Sequence, residues 1–324
     1  MMCSRLLVVA ALGALVGYTH ALSAKVVAPG SANVVTVIGA SGNVGRLVAL
    51  RLADEGYGVR AVVRSARARA SLKDFLGDRA ERIEFVDADV AADDAAAQLK
   101  PAIAGAAAAI VCTGTTAFPT KAWAGGGVGA DDINGAVLSA LFEAKFDLKA
   151  AVAALTRRGL NTPERVDGAG LEAVAAAVAG SGARRIVLMS SLGVTRRDGF
   201  PFKILDACGV LGAKARGEAA VEAACAAAGA SCTIVRPGQL LGGPYTNNVY
   251  LGTLFRLDAD SEKRGVAIQK GDEAAGDTLR SALAEVLVQA LQNPSADGDF
   301  TVLTVDGAEP TAATIQASLS EALA

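Results

Sequence analysis

Short, unbroken apolar runs alternate with stretches of helical periodicity along most of this chain. The runs lie within NVVTVI, GVRAVV, RIEFV, AAAAIV, RIVLM and CTIV. Apolar runs of this length predict strands that are covered on both faces. Strands that alternate with helices predict a parallel, doubly wound sheet of the Rossmann type, so we assign the chain to the α/β class.

The pattern changes beyond Gly242, where we expect a small C-terminal α/β cap. A helix is predicted over 277–291, a late strand over DFTVLTV and a last helix over 306–324. We therefore expect one large domain over 33–305, interrupted by an unusual segment at 124–160.

The N-terminal residues 1–24 form a separate unit. Arg5 precedes an apolar run, Leu6–Gly17, and small residues follow it. A bilayer span needs about 20 apolar residues, so this shorter run predicts a secretory signal peptide. Cleavage is expected after Ala21 or Ala24, which leaves no stable membrane span; a membrane anchor is the alternative.

Composition excludes several kinds of chemistry and partner. The leader carries His20, the only histidine, so its removal excludes Ser-His-Asp and Cys-His hydrolysis and a histidine-based metal site. A net charge of −2 provides no basic field for nucleic acid. The remaining cysteines have no C-x-x-C spacing and are expected to be small buried apolar residues, with a disulfide or redox pair as the alternative. They are Cys112, Cys208, Cys225 and Cys232.

A glycine-rich turn follows the first predicted strand and precedes a helix. Gly39 permits the tight turn, Gly42 lets the backbone approach a pyrophosphate, and Gly45 permits close packing of helix on strand. The free N–H groups at the helix N-terminus favour phosphate. In this strand-turn-helix-strand context the turn predicts a dinucleotide site, as opposed to a purely structural turn. The remaining turn residues assigned to the cofactor are Ser41, Asn43 and Val44.

The residue that follows the second strand bears on which dinucleotide binds. An NAD site usually has an acidic residue there for the ribose 2′-hydroxyl. This chain has Arg64, with Arg67 and Arg69 nearby, and a guanidinium suits a 2′-phosphate. We therefore favour NADP(H) over NAD(H) as the cofactor; a solvated start of the next helix is the alternative reading of these arginines.

Polar residues at the ends of later strands extend the predicted site. In a doubly wound sheet, ligands bind outside the carboxyl ends of the strands. Ribose and nicotinamide are expected to pass the loop after the fourth strand, close to the serines that follow the fifth. The residues concerned are Thr113, Gly114, Thr115, Ser190 and Ser191, with Pro237 at the end of the sixth strand.

Several motifs resemble those of one protein family. VCTGTTAFPTKAW, NTPERVDGAGLEAV, RRIVLMSSLGVT, GVLGAKARGE and TIVRPGQLLGGPYT are similar to segments of the NmrA-like atypical short-chain dehydrogenases/reductases of plant and algal plastids. The G-x-x-G-x-x-G spacing also resembles the extended and atypical members of that superfamily. The resemblance runs from about Val34 to about Val305. It implies a single NADP(H)-type Rossmann domain with a variable C-terminal cap, in which Asp89 takes the acidic position that contacts adenine.

The same resemblance implies chemistry that this chain supports only in part. In the superfamily a tyrosine donates a proton to the substrate carbonyl, and a lysine four residues later lowers its pKa and holds the nicotinamide ribose. Here Lys214 is present and Ser190 or Ser191 matches the substrate-orienting serine, but Val210 replaces the tyrosine. Lys214 is therefore expected to keep only its ribose-binding role; a surface helix lysine is the alternative.

Other side chains near the predicted site are candidates for the acid that protonates the substrate carbonyl. Tyr245, on the loop GGPYTNNVY with Tyr250, is the best candidate for a substitute, or else an aromatic wall of the pocket. The facing loop carries Thr115, Thr116 and Lys121. A reduction whose proton comes from water would need no side-chain acid.

The segment 124–160 departs from the resemblance, because in the relatives the tryptophan matching Trp123 is soon followed by N-T-P-E. The segment begins glycine-rich and then predicts an amphipathic helix over 133–158. A lid over the cofactor, a docking helix for a protein partner and a translated intron remain as alternatives.

Two functions follow as hypotheses. The first is an NADP(H)-dependent oxidoreductase of a plastid metabolite, an unknown small molecule. The second is a non-catalytic NADP(H)-binding scaffold, assembly or regulatory factor. The signal peptide and the plastid resemblance agree for an alga with a complex plastid, whose proteins pass through the secretory route; otherwise we expect the endoplasmic reticulum or secretion.

Overall fold

The structure is a computed structural model, and it describes residues 27–30, 32–242 and 264–323. The predicted leader, Tyr245 and Tyr250 lie outside these residues. Within the described part of the chain, no helix is long and apolar enough to cross a membrane.

A mostly parallel sheet of eight strands forms the centre of the fold and confirms the predicted class. Its strand order is β3-β2-β1-β4-β5-β6-β10-β8, and all neighbours are parallel except β10 and β8. Its strands are β1 (Val34–Ile38), β2 (Gly58–Val63), β3 (Ile83–Asp87), β4 (Ala108–Val111), β5 (Arg185–Met189), β6 (Ser231–Pro237), β8 (Gly265–Lys270) and β10 (Gly298–Val305). The order reverses beside β1, so the loops after β1 and β4 flank a crevice at the carboxyl edge.

Helices cover both faces of this sheet, which is why its strands are apolar on both sides. The helices in chain order are α1 (Gly45–Asp54), α2 (Ala66–Leu76), α3 (Ala95–Ile103), α4 (Ile133–Glu143), α5 (Leu148–Arg157), α6 (Gly170–Val178), α7 (Phe202–Leu205), α8 (Val210–Ala228), α9 (Arg280–Gln289) and α10 (Ala312–Leu323). One core cluster includes Leu52 of α1 and Leu287 of α9. The other includes Leu99 of α3, Val174 of α6 and Val221 of α8.

The C-terminal part of the chain adds both to the main sheet and to a small second sheet. Strands β8 and β10 extend the main sheet, whereas β7 (Gln239–Leu241) and β9 (Asp277–Leu279) pair with each other. The helix predicted over 277–291 therefore begins three residues later, at Arg280. The Thr278 hydroxyl donates to the Val302 carbonyl at 2.6 Å, which ties the small sheet to the large one.

The segment 124–160 forms two helices where one was predicted. Lys145 and Phe146 both have positive φ values, 52° and 65°, and they end α4. Asp147 then caps α5 by accepting a hydrogen bond from the Ala150 N–H. Ile133 of α4 and Leu155 of α5 pack in one cluster with the buried Trp123, so the segment is a helical hairpin with its own small core.

The four described cysteines are free, and Cys112, Cys208 and Cys225 are buried while Cys232 is partly exposed. This agrees with their interpretation as small apolar residues.

Candidate functional site

The glycine turn has the geometry that its sequence requires. Gly39 has a φ of 80°, in the left-handed region that favours glycine. A Cβ on Gly45 would lie 2.2 Å from the Gly39 carbonyl oxygen, so α1 can begin there only without a side chain. The turn thereby brings the N-terminus of α1 against the end of β1, at the crevice in the sheet.

A cleft of about 240 Å³ opens beside this turn. It collects predicted residues from the ends of four strands: Gly39, Ser41, Gly42, Arg64, Asp89, Thr113, Gly114 and Thr115. The other turn residues, Asn43, Val44 and Gly45, are not among the residues that line the cleft. Ser190, Lys214 and Pro237 are buried beyond the β4 side and do not line the cleft surface itself.

Arg64 is the free cation at one end of the cleft. Within the described residues it makes neither a hydrogen bond nor an ion pair, and it is exposed. Arg69 differs, because its guanidinium pairs with Asp87 at 2.7 Å and lies over the Phe85 ring. Of these arginines, Arg64 was the first choice from the sequence, and it is the one that lines the cleft.

Buried hydroxyl groups without a described partner occur at the other end of the cleft and at the end of the neighbouring strand β5. Among the described residues, Thr113 Oγ1, Thr115 Oγ1 and Ser190 Oγ are buried and form no hydrogen bond. Thr113 and Thr115 follow β4, and Ser190 follows β5, on the opposite side of the glycine turn from Arg64. Buried polar atoms are usually satisfied, so three orphans at one edge indicate a polar ligand.

A buried ion pair lies under the same edge. Lys214 Nζ is 2.7 Å from Asp167 Oδ1, and neither side chain is more than 8% exposed. The Asp167 Oδ2 accepts a hydrogen bond from the Thr115 N–H at 3.1 Å. Burial raises the pKa of the Asp167 carboxyl, and the charge and hydrogen bond of Lys214 oppose that rise. This pair excludes the reading of Lys214 as a surface lysine.

With this geometry in place, the family of the chain can be stated. A family model described as NAD(P)H-binding matches residues 39–294. The chain belongs to the NAD(P)H-binding family. No curated protein matches the sequence significantly.

Solved structures show the same fold at low sequence identity. The oxidoreductase ylbE from Lactococcus lactis is 15% identical, with 89% of this chain and 95% of that chain covered and a TM-score of 0.55. Methylglyoxal/isovaleraldehyde reductase Gre2 from yeast, solved with NADPH, is 14% identical, with 84% and 79% covered and a TM-score of 0.52. Vestitone reductase from alfalfa is 15% identical, with 84% and 78% covered and a TM-score of 0.50.

The residues of the cleft fit the dinucleotide of this NAD(P)H-binding family. The turn at Gly39 and Gly42 leads into the N-terminus of α1, whose N-cap residue Val44 makes no side-chain cap hydrogen bond, and a helix N-terminus stabilises a pyrophosphate. The orphaned hydroxyls of Thr113, Thr115 and Ser190 can donate to or accept from ribose and carboxamide groups. The cleft therefore offers partners to both halves of a dinucleotide.

Val210, in the position of the expected tyrosine, is buried in an apolar cluster. It is 5% exposed and packs with Val194 and Leu211, and Ala117 and Phe202 lie against the cluster. Tyr245, the substitute suggested by the sequence, lies outside the described residues.

Two further carboxylates of the NAD(P)H-binding domain were not identified from the sequence. Asp167 is the last residue of the motif NTPERVD and lies between the buried residues Val166 and Gly168. An acidic residue between two small or apolar ones is the only feature of the sequence that could have indicated its role. Asp272, 3% exposed, accepts hydrogen bonds from the N–H groups of Gly193 and Thr195 at 2.7 and 2.8 Å. It thereby fixes the loop that follows Ser190.

The helical hairpin joins the domain at the cleft. Ala122 precedes it and Asn161 follows it, and both line the cleft. Asn161 donates its backbone N–H to the Trp123 carbonyl at 3.0 Å and its side-chain amide to the Ala124 carbonyl, so the two ends are held together. Thr116 accepts from the Trp123 indole at 3.2 Å, whereas Lys121 pairs with Asp131 in solvent.

Proposed function

We propose that this NAD(P)H-binding protein prefers NADP(H) and is an oxidoreductase acting on a small carbonyl-type metabolite. The observation that carries the cofactor preference is Arg64, an exposed guanidinium without a partner among the described residues, at the cleft end where an NAD site would have a carboxylate. A free guanidinium can form bidentate hydrogen bonds with a 2′-phosphate.

Each part of the cleft has a separate task in this proposal. Arg64 binds the 2′-phosphate, Asp89 contacts the adenine, and the turn at Gly42 binds the pyrophosphate. Lys214 and the hydroxyls of Thr113 and Thr115 hold the nicotinamide half. Bound NADPH supplies a hydride to the substrate carbon.

The proton for the substrate oxygen comes from water in this proposal. Val210 has no proton to give, and it packs with the apolar side chains of Val194 and Leu211. Ser190, whose buried hydroxyl has no partner, orients the carbonyl oxygen as a hydrogen-bond donor. With NADPH bound, hydride transfer to the carbonyl carbon and proton transfer from water to the oxygen would give an alcohol, NADP⁺ and hydroxide.

Turnover tests this proposal. Purified protein is incubated with NADPH and a panel of aldehydes, ketones and enones, and loss of NADPH absorbance is recorded. The proposal expects consumption with at least one substrate class and its loss in Ser190→Ala. Tight NADPH binding without consumption over the whole panel would contradict the oxidoreductase and favour the second candidate.

The second candidate is a non-catalytic NADP(H)-binding scaffold. It is favoured by the apolar side chains that the helical hairpin leaves exposed: Leu138, Phe142 and Phe146 are 53%, 60% and 67% exposed. The Phe142 and Phe146 rings pack edge to face at 5.1 Å and form one apolar surface. A surface of this kind is typical of protein association.

Removal of the segment 124–160 tests the scaffold. The scaffold predicts loss of partner capture in pull-down experiments. The variant Phe142→Ser/Phe146→Ser should give the same loss while it preserves the hairpin. Normal capture by both variants would contradict the scaffold.

We further propose that the protein enters the secretory route and reaches a complex plastid of an alga. The support is the apolar leader Leu6–Gly17 together with the resemblance to plastid proteins. A fluorescent fusion at the C-terminus should co-localise with chlorophyll. Fluorescence in the medium or confined to the endoplasmic reticulum would contradict the plastid.

A further inference from the structure

Asp167 occupies an unusual place for a carboxylate. It lies in the π-helical turn Glu164–Ala169 and is completely buried, although a buried charge is costly without a partner. Single π-helical turns inside helices are frequent at functional sites. The turn here continues directly into α6, which packs against α8.

Small residues allow α8 to approach the π-helical turn closely. A Cβ on Gly217 would lie 2.6 Å from the Asp167 carbonyl oxygen and 2.4 Å from Leu171. A Cβ on Gly168 would lie 2.4 Å from the Arg216 guanidinium. Because both positions are glycine, Lys214 of α8 can reach the Asp167 carboxylate.

The Asp167 carboxylate connects two parts of the nucleotide cleft. One oxygen lies 2.7 Å from Lys214 Nζ, and the other accepts from the Thr115 N–H at 3.1 Å. Gly114 packs directly against the ion pair, since a Cβ on Gly114 would lie 3.2 Å from both Asp167 Oδ1 and Lys214 Nζ. The loop with the unsatisfied Thr113 and Thr115 hydroxyls is thus supported from below by the ion pair.

We propose that Asp167 is a positioning residue for the nicotinamide half of the dinucleotide. Its carboxylate fixes the Lys214 ammonium and the Thr113–Thr115 loop in one arrangement before the nucleotide binds. This inference rests on the proposed NADP(H) function. It gives the retained lysine a partner in a chain where the tyrosine position is valine.

The sheet order makes this role local to one half of the ligand. Arg64 follows β2 and the glycine turn follows β1, whereas Thr115 follows β4, on the other side of the turn. A dinucleotide whose pyrophosphate lies at the turn has its adenosine half toward β2 and its nicotinamide half toward β4. Asp167 therefore acts on the nicotinamide half alone.

The test compares NADPH with adenosine 2′,5′-bisphosphate, which lacks the nicotinamide half. The full chain carries Asp167→Asn, which keeps the shape of the side chain and removes its charge. Calorimetric titration is expected to show NADPH binding weakened about 10-fold or more, and binding of the bisphosphate within about 2-fold of wild type. A general loss of structure would instead weaken both ligands.

A matched control is available on α8, the helix that carries Lys214. Glu218 and Arg236 form another buried ion pair, with Oε2 and Nη2 2.7 Å apart, and Glu218 lies outside the cleft. Glu218→Gln should lower the unfolding midpoint in the manner of Asp167→Asn and leave NADPH affinity unchanged. Equal weakening of NADPH binding in the two variants would overturn the positioning role.

A double variant tests whether Asp167 acts through Lys214. Asp167→Asn/Lys214→Met should lose less NADPH affinity than the sum of the two single losses, because one of the two groups that the carboxylate positions is already absent. Additive losses would overturn the proposal.

Wild-type protein provides a measurement that does not depend on the folding of any variant. The Thr115 amide should exchange its hydrogen at least 10-fold more slowly than the exposed Gly127 amide before nucleotide is added. Equal exchange rates would overturn preorganisation of the loop. Failure of the wild type to bind NADPH would contradict the proposed function itself, whereas NADPH binding unaffected by Asp167→Asn would contradict only this inference.

Discussion

Gly45 lies so close to Gly39 that a Cβ added to it would be 2.2 Å from the Gly39 carbonyl oxygen. This contact sets where α1 begins and therefore where its N–H groups face the cleft. A methyl group at Gly45 has no room unless the backbone moves.

Gly45→Ala is therefore expected to lower the free energy of unfolding by about 1–3 kcal/mol, the usual cost of overpacking. Chemical denaturation measures it. Gly135→Ala is the matched control, since Gly135 lies in α4 with open space at its Cβ position. The control should be neutral or more stable by about 0.5–1 kcal/mol, the helix preference of alanine. Equal destabilisation of both variants would contradict the close contact.

Arg64→Asp should discriminate between the two dinucleotides. Loss of a charge-assisted hydrogen bond is worth about 1.5–3 kcal/mol, so NADPH affinity should fall about 10- to 100-fold while NADH affinity changes little. Arg82→Asp serves as the control, because Arg82 precedes β3 at the amino edge of the sheet. An equal loss for both nucleotides in Arg64→Asp would show that Arg64 does not bind the 2′-phosphate.

Val210→Tyr tests the missing acid. The side chain is larger than the apolar cluster around Val194 and Leu211 accommodates, so we expect a stability loss of about 1–3 kcal/mol. Val210→Phe should lose a similar amount. If the hydroxyl reaches the cleft beside Lys214, carbonyl reduction should rise at least about 10-fold in the tyrosine variant relative to the phenylalanine variant, as general acids typically contribute. Equal rates in the two variants would contradict this placement.

Asp272→Asn should loosen the loop after Ser190. The carboxylate accepts from the N–H of Gly193 and from the N–H and hydroxyl of Thr195, each within 2.8 Å. An amide group can accept hydrogen bonds only at its oxygen, so one or more of these donors lose their partner. Each buried donor left without a partner lowers the free energy of unfolding by about 1–3 kcal/mol. Hydrogen exchange of the Gly193 and Thr195 amides should become faster, while exchange in β1 should not. Unchanged protection of these two amides would contradict the role of Asp272 in fixing the loop.

Cys112 lines the cleft, yet its thiol should be unreactive in the native protein. Burial raises the pKa of Cys112 to about 12, so almost no thiolate is present at about pH 8.5, where a free cysteine is half ionised. Mass spectrometry after iodoacetamide treatment should find Cys112 modified only in urea. Rapid native modification would show that solvent reaches the base of the cleft.

The sequence predicted those features that local rules control. The glycine turn, Arg64 after the second strand and the parallel sheet all follow from short motifs and apolar runs, and the structure has the parallel sheet with Gly39, Gly42 and Arg64 in the lining of one cleft. Asp167 and Asp272 were missed because their partners are distant in sequence: 52 residues separate Asp167 from Thr115, and 79 separate Asp272 from Gly193.

The helical hairpin shows another limit of prediction. Its break lies at Lys145 and Phe146, two residues with positive φ and without the glycine or proline that usually marks a turn. The amphipathic pattern continues through the break, so periodicity alone predicted one helix over 133–158. Packing of both helices on Trp123 determines the bend.

Calorimetric titration of the purified protein with NADPH and with NADH tests the central claim most directly. The account predicts that NADPH binds at one site per chain and at least 10-fold more tightly than NADH, and that Gly42→Asp abolishes the binding of both. Equal affinity for the two nucleotides would contradict the role of Arg64, and binding of neither would contradict the nucleotide site altogether.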